Sequence, residues 1–254
     1  MVLAIDIGNT NIVIGCFEDD RILFVERVST NHTATDLEYA STISMALHIH
    51  GTDSSMLEGA IVSSVVPTLT NTVVRAIEKY AQVKAAVVGP GIKTGLSIKI
   101  DNPAQLGADL VVDAVAGISS YPTPQIIVDM GTATTYSVID KNKSYIGTLI
   151  TTGMSISVDA LTSRTSQLPK IGFDLPSGVI GRNTVDSMRN GIMYSNAAAI
   201  DGICDRIEEE LGEKCTVIAT GGLAGIVTSL CRRSIILDDT LMLKGLMIIY
   251  NKNK

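Results

Sequence analysis

The chain has 254 residues, 46% hydrophobic and only 4% aromatic, with a mean hydropathy of +0.32, which is enough aliphatic material for one large core or two smaller ones. Its net charge of −6, with no cationic run beyond Arg232-Arg233, excludes a nucleic-acid surface, which needs a clustered basic footprint. No apolar run approaches the roughly 18 residues of a membrane helix, and the N-terminus enters a strand directly, so neither a membrane anchor nor a secretion leader is expected.

Residues 2–8, 11–17 and 21–28 read as three short strands, separated by Gly8-Asn9-Thr10 and by the turn Glu18-Asp19-Asp20. Leu37, Ala40, Ile43 and Leu47 mark a helix over 36–49. A buried strand over 60–66 ends at Pro67, a helical stripe runs from Leu69 to Ala81, and a short strand covers 85–88. After a Gly-rich connection over 89–101, Asn102 is placed as N-cap and Pro103 as first residue of a helix with the stripe Leu106, Leu110, Ala114 and Ile118. The pattern then restarts. Strands are expected at 126–130, 133–139 and 144–150, with Asp140-Lys141-Asn142-Lys143 in the place of Glu18-Asp19-Asp20. Residues 148–183 are rich in Ser, Thr and Gly with little periodicity, as in a lid or an interface. A helix over 184–199 carries small residues (Ser187, Gly191, Ser195, Ala197 to Ala199) that permit close helix approach, and Ile200, Ile203, Cys204, Ile207 and Leu211 form a second stripe. A strand over 215–219, the turn Thr220-Gly221-Gly222, a helix, a strand over 234–237 and a final helix near 240–250 complete the chain.

The two halves share a phrase. Leu3-Ala4-Ile5-Asp6-Ile7-Gly8-Asn9-Thr10 and Ile126-Ile127-Val128-Asp129-Met130-Gly131-Thr132-Ala133-Thr134-Thr135 are each an apolar run, then Asp-x-Gly, then small polar residues. Internal duplication on this scale predicts an α/β fold of two tandem ribonuclease H-like domains, 1–118 and 119–254, the second with an insertion at about 148–199, and a nucleotide cleft between them. This is the architecture of the sugar-kinase, actin and chaperone superfamily. A single doubly wound sheet is the competing fold, but the opening meander contradicts it.

The chemistry sits in three places. In each Asp-x-Gly loop, Gly lets the backbone turn, hydroxyls and amides suit phosphate oxygens, and the Asp can hold a cation or a water. A single copy could be an ordinary hairpin turn; two at matching positions point to phosphate binding. Gly221-Gly222 after a buried strand is either close packing or the passage for an adenosine. Asp109 and Asp113 share a helical face, which is either solvated or supplies a general base for an attacking alcohol. Cys16, Cys204, Cys215 and Cys231 sit in apolar segments without metal spacing and read as free thiols of a cytoplasmic protein. His32, His48 and His50 form no metal or triad pattern.

Together these residues resemble the type III pantothenate kinase family over nearly the whole chain. The likeness rests on Asp6-Ile7-Gly8-Asn9-Thr10, Asn102-Pro103 followed by Gly107-Ala108-Asp109, Asp129-Met130-Gly131-Thr132-Ala133-Thr134-Thr135, Asn183-Thr184, Thr220-Gly221-Gly222 and Gly245. It implies a homodimer that phosphorylates pantothenate with ATP at the first step of coenzyme A synthesis, using Mg²⁺ and a monovalent cation, K⁺ or NH₄⁺. By position it implies that Asp6, Ile7, Gly8, Asn9, Thr10, Asn11, Ile12 and Val13 line the ATP phosphates, that Thr132, Gly221 and Gly222 contact ATP, and that Asp129 holds the monovalent cation. Asp109 becomes the general base. Ile100, Gly107, Ala108, Asp109 and Leu110 fall at the substrate, with Thr184 reaching it from the second subunit.

The pantothenate half departs from the family pattern. Leu110 stands where the family has an Arg that is expected to meet the substrate carboxylate, Ile100 where it often has Tyr, and Asp113 where it usually has Asn. Near the lid, the family's Gly-Gly and Pro-Gly appear as Gly147-Thr148 and Thr152-Gly153. Three readings follow: an active pantothenate kinase with Lys99 or Arg182 replacing the Arg, a kinase of a less anionic alcohol, or a non-catalytic nucleotide-binding regulator.

Overall fold

A computed structural model describes residues 1–254. The first sheet is built from β1 (Val2–Ile7), β2 (Asn11–Glu18) and β3 (Arg21–Ser29), an antiparallel meander. Helix α1 (Asp36–Ile49), strand β4 (Gly59–Ser64), helix α2 (Pro67–Ala81) and strand β5 (Ala85–Val87) follow, giving the order β3-β2-β1-β4-β5. β1 is apolar at nearly every position because both faces are covered. Leu3, Ile5 and Ile7 enter the core with α1 and α2, while Val2 and Ala4 enter a second core on the other face. α1 starts at a capping box: Glu38 N donates to Thr35 Oγ1 at 3.4 Å and Thr35 N donates to Glu38 Oε2 at 2.7 Å. Pro67 opens α2 at a position where its missing N–H costs nothing.

The chain continues through β6 (Ser97–Ile98) and α3 (Ala108–Ser120) to a second sheet. This sheet contains β7 (Gln125–Met130), β8 (Ala133–Ile139) and β9 (Ser144–Thr152), again an antiparallel meander. After α4 (Met154–Arg164) and α5 (Thr184–Leu211) come β10 (Thr216–Thr220), α6 (Ala224–Thr228), β11 (Ile236–Leu237) and α7 (Leu241–Asn253). The order is β11-β10-β7-β8-β9-β6. The chain clusters into two compact units, one of Met1–Leu96, Asn102–Ala116 and Leu241–Lys254, the other of Ser97–Asp101 and Gly117–Thr240. In the first unit α7 packs on β1 and β4. No helix is long and apolar enough to cross a membrane.

Several elements differ from the sequence expectation. Asn102 heads a 3-10 turn over Pro103–Gln105 and makes no side-chain cap; Leu106 is extended, and the helix starts only at Ala108. Leu106 therefore stands outside the helical stripe. The segments 184–199 and 200–211 are one 28-residue helix, capped by Asn183 Oδ1 on the N–H of Asp186 at 2.9 Å and ended by Gly212. The aperiodic stretch shrinks to 165–183, because β9 runs to Thr152 and α4 follows. The strand expected at 234–237 is two residues long, and β6 pairs in parallel with β9 where a plain connection was expected. All four cysteines are free.

Candidate active site

In the first unit, Asp6 is near the end of β1, and the turn Gly8-Asn9-Thr10 leads into β2. Gly8 N donates to Asn11 O at 3.0 Å, closing the turn. Thr30, just after β3, supports it from outside: its hydroxyl donates to Gly8 O at 2.6 Å and its N–H to Thr10 O at 2.9 Å. Asn9 and Thr10 are exposed, Asp6, Gly8, Asn11 and Val13 half-buried, and Ile7 and Ile12 buried in the core. The apolar pair thus anchors the loop while the polar residues reach solvent.

Asp109 lies in the first turn of α3 and is half-buried. Its Oδ1 accepts from Leu110 N at 2.8 Å. A Cβ on Gly107 would collide with this same oxygen, so glycine there leaves room for the carboxylate. Burial pushes the Asp109 carboxyl above its ordinary value, and the Leu110 N–H opposes the shift in part. A carboxylate of raised basicity suits proton abstraction from an alcohol.

The face shared by Asp109 and Asp113 is not a solvated one. Asp113 is 1% exposed and Leu110 8%, within an almost continuous buried run from Leu110 to Gly117. Ala108 and Gly107 are half-buried.

In the second unit the same construction recurs. Asp129 stands near the end of β7, and Gly131-Thr132 turns the chain into β8, with Gly131 N donating to Ala133 O at 3.1 Å. Both loop residues are exposed. In register with Asp129 are Thr135 on β8 and Thr220 on β10. Gly221 follows with φ of +98°, and a Cβ there would come within 2.7 Å of Asp129 Oδ1 and of the Met130 backbone. The Gly-Gly turn therefore lies directly against Asp129, at the carboxyl ends of the parallel pair β7 and β10, where α/β sheets receive ligands. Gly222 is exposed. Ile100 is half-buried just beyond β6, and Thr184 is the exposed first residue of α5.

The residues overlooked in the sequence are hydroxyls, Thr30 under the first loop and Ser63 in register with Asp6; Thr135 and Thr220, already part of the quoted motifs, lie in register with Asp129. Their signal was a buried strand closing on Ser or Thr in each half. The donor set suits hard cations. Thr135 Oγ1 is a buried oxygen with no hydrogen-bond partner, in register with the Asp129 carboxylate. All these groups are oxygen donors, as Mg²⁺ and alkali ions prefer.

The sequence profile of the type III pantothenate kinase family matches residues 2–206. A type III pantothenate kinase of Bacillus cytotoxicus is 46% identical over 253 residues, covering 100% of this chain and 97% of its own. The chain belongs to the type III pantothenate kinase family. It is therefore a kinase, and ATP use follows from that membership. Solved structures at low identity carry the same fold. A putative Baf family transcriptional activator from Campylobacter jejuni aligns at TM-score 0.59 and 18% identity, over 99% of this chain and 98% of that one. A putative 2-dehydro-3-deoxygalactonokinase from Sinorhizobium meliloti aligns at TM-score 0.57 and 12% identity, over 99% and 96%. These likenesses bear out two tandem ribonuclease H-like domains.

Proposed function

We propose that this kinase transfers the γ-phosphoryl group of ATP to the hydroxyl of pantothenate, forming 4′-phosphopantothenate at the start of coenzyme A synthesis in the cytoplasm. Family membership over the full chain, with a half-buried Asp109 at the family's substrate motif, carries this reading. The chain's own residues divide the work three ways. The loop from Asp6 to Val13, with Thr132 and Gly221-Gly222, receives ATP. Gly107, Ala108, Leu110, Ile100 and Thr184 contact the acceptor. Asp109 takes the hydroxyl proton onto its carboxylate as the oxygen meets phosphorus. Asp6 would hold Mg²⁺ with the phosphates, and Asp129 with the Thr135 hydroxyl would hold K⁺ or NH₄⁺. Bound there, the cations supply positive charge against the phosphate oxygens.

The second unit supports a homodimer. Ile180 is 87% exposed, Ile150 68%, Val179 65% and Leu175 61%. Exposed apolar residues of this size and number favour an interface, and Leu175, Val179 and Ile180 lie within ten residues of Thr184 in the chain.

A second reading has its own support. Leu110 is buried where the family's Arg would meet the acceptor carboxylate, and the substitutes fall short: Lys99 is exposed and 3.9 Å from Asp140, and Arg182 is an exposed loop residue. This favours a less anionic alcohol. The deciding test offers pantothenate and its neutral analogue, with alcohol in place of carboxylate, under Mg²⁺-ATP with and without K⁺. Preferential, K⁺-dependent phosphorylation of pantothenate is expected. Preference for the neutral analogue would transfer the assignment to another alcohol.

A further inference from the structure

Ser63 is 0% exposed, and its hydroxyl makes no hydrogen bond. In the parallel β1–β4 ladder it is the register partner of Asp6, so the two side chains leave the same face of the sheet. Adjacent strands are about 4.8 Å apart, within which a serine hydroxyl can turn to a neighbouring carboxylate. The next serine serves the backbone instead. Ser64 Oγ accepts from Val66 N at 3.1 Å and from Thr70 Oγ1 at 2.8 Å, fixing the entry to α2. The chain turn therefore does not need Ser63.

Neither does packing. Its neighbours on that face, Ala4 and Ile61, belong to an apolar cluster in which a methyl group would fit as well. A fully buried hydroxyl without a partner is a cost that alanine would avoid. The second half keeps the same feature: Thr220, also buried, is the register partner of Asp129. Each copy of the duplicated strand thus sets a buried hydroxyl beside its strand-end aspartate.

We propose that Ser63 is a positioning residue for Asp6, its hydroxyl donating to the Asp6 carboxylate when Mg²⁺-nucleotide binds and fixing the rotamer that serves the phosphates. This rests on the reading of Asp6 as a phosphate and cation residue, given above. Ser63 would then be poorly satisfied in the ligand-free protein and satisfied in the complex.

The test compares Ser63→Ala, Ser63→Thr and Asp6→Asn by thermal unfolding without ligand and by calorimetry with Mg²⁺ and a non-hydrolysable ATP analogue. Ser63→Ala is expected to melt at or above the wild-type temperature yet bind the Mg²⁺-nucleotide about tenfold more weakly. Ser63→Thr, which keeps the hydroxyl as Thr220 does, is expected to hold affinity within about twofold of wild type. A Ser63→Ala protein that melts lower, or that binds as wild type does while Asp6→Asn binds weakly, overturns the positioning role and leaves the reading of Asp6 standing. Undiminished binding by Asp6→Asn overturns that reading itself.

Discussion

At the scale of single residues, the proposed chemistry turns on Asp109 and Leu110. Burial raises the Asp109 carboxyl, so the folded state holds its proton more tightly than the unfolded chain does. Stability contributed by this group is therefore present at low pH and is lost as pH rises from the ordinary value of 3.8 through the raised one. Asp109→Asn should remove that loss, melting at or above the wild-type temperature at pH 7. It should also lower kcat by about 10²–10⁴ with nucleotide affinity intact. In the wild type kcat should fall with acid as Asp109 is protonated. A near-wild-type kcat in the variant would take Asp109 out of the mechanism. Leu110→Arg is expected to lower the KM for pantothenate, about tenfold for each 1.4 kcal/mol recovered, at some expense in stability because the site is buried. Steady-state kinetics with a parallel melt would show both effects. The position of Asp109 on a helix was legible from the motif. The burial of Asp113 was not, although the signal existed: a helix apolar at almost every position from Leu110 to Gly117 is covered on all sides.

At the scale of elements, periodicity was reliable wherever one stripe faced one core, as in α1 and α2, whose bounds lie within a few residues of expectation. It failed where tertiary contact fixed the element. β6 is two residues held by β9, and the turn after Asn102 is set by backbone geometry that its N-cap and Pro signals could not report. α5 was read as two segments because small residues mark its first half and larger apolar ones its second, although one buried stripe through Met188, Ile192, Ala197, Ile200, Cys204 and Ile207 joins them. Its C-terminal end is tied by Glu208, 6% exposed, which meets Lys214 at 2.7 Å, Arg233 at 3.0 Å and the N–H of Cys215 at 3.1 Å. Burial pushes the Glu208 carboxyl up, but Lys214, Cys215 N–H and Arg233 outweigh it and hold the carboxyl below its ordinary value. A depressed carboxyl contributes stability above the unfolded value of 4.5 and loses it as pH falls through the folded one. Glu208→Ala leaves Arg233 without its buried partner and should cost about 3–5 kcal/mol in urea unfolding at pH 7, with a smaller difference near pH 3. A loss under about 1 kcal/mol at pH 7 would show that Asp205, 2.9 Å from Arg233, suffices.

At the scale of the whole molecule, the duplication was the most legible feature, because the apolar run, Asp and Gly recur in the same order and their register recurs with them: Asp6 faces Val13 and Ser63, Asp129 faces Thr135 and Thr220. The packing of α7 on β1 and β4 was not legible, since an amphipathic helix at a chain end carries no record of which sheet it will cover. The exposed apolar residues around Ile180 belong to this scale too. Ile180→Asp should convert a dimer to a monomer in light scattering, and, if Thr184 acts across the interface, should lower kcat/KM for the acceptor with the melting temperature of the subunit little changed. A wild-type protein that is monomeric at micromolar concentration would contradict the interface. The central claim is that this scaffold phosphorylates pantothenate with Asp109 as base. Its most direct test is the product formed from Mg²⁺-ATP, K⁺ and pantothenate by the wild type and by Asp109→Asn, read by mass spectrometry. The wild type is expected to form 4′-phosphopantothenate in step with ADP, and the variant almost none; ADP without phosphopantothenate, or equal product from both proteins, would contradict the claim.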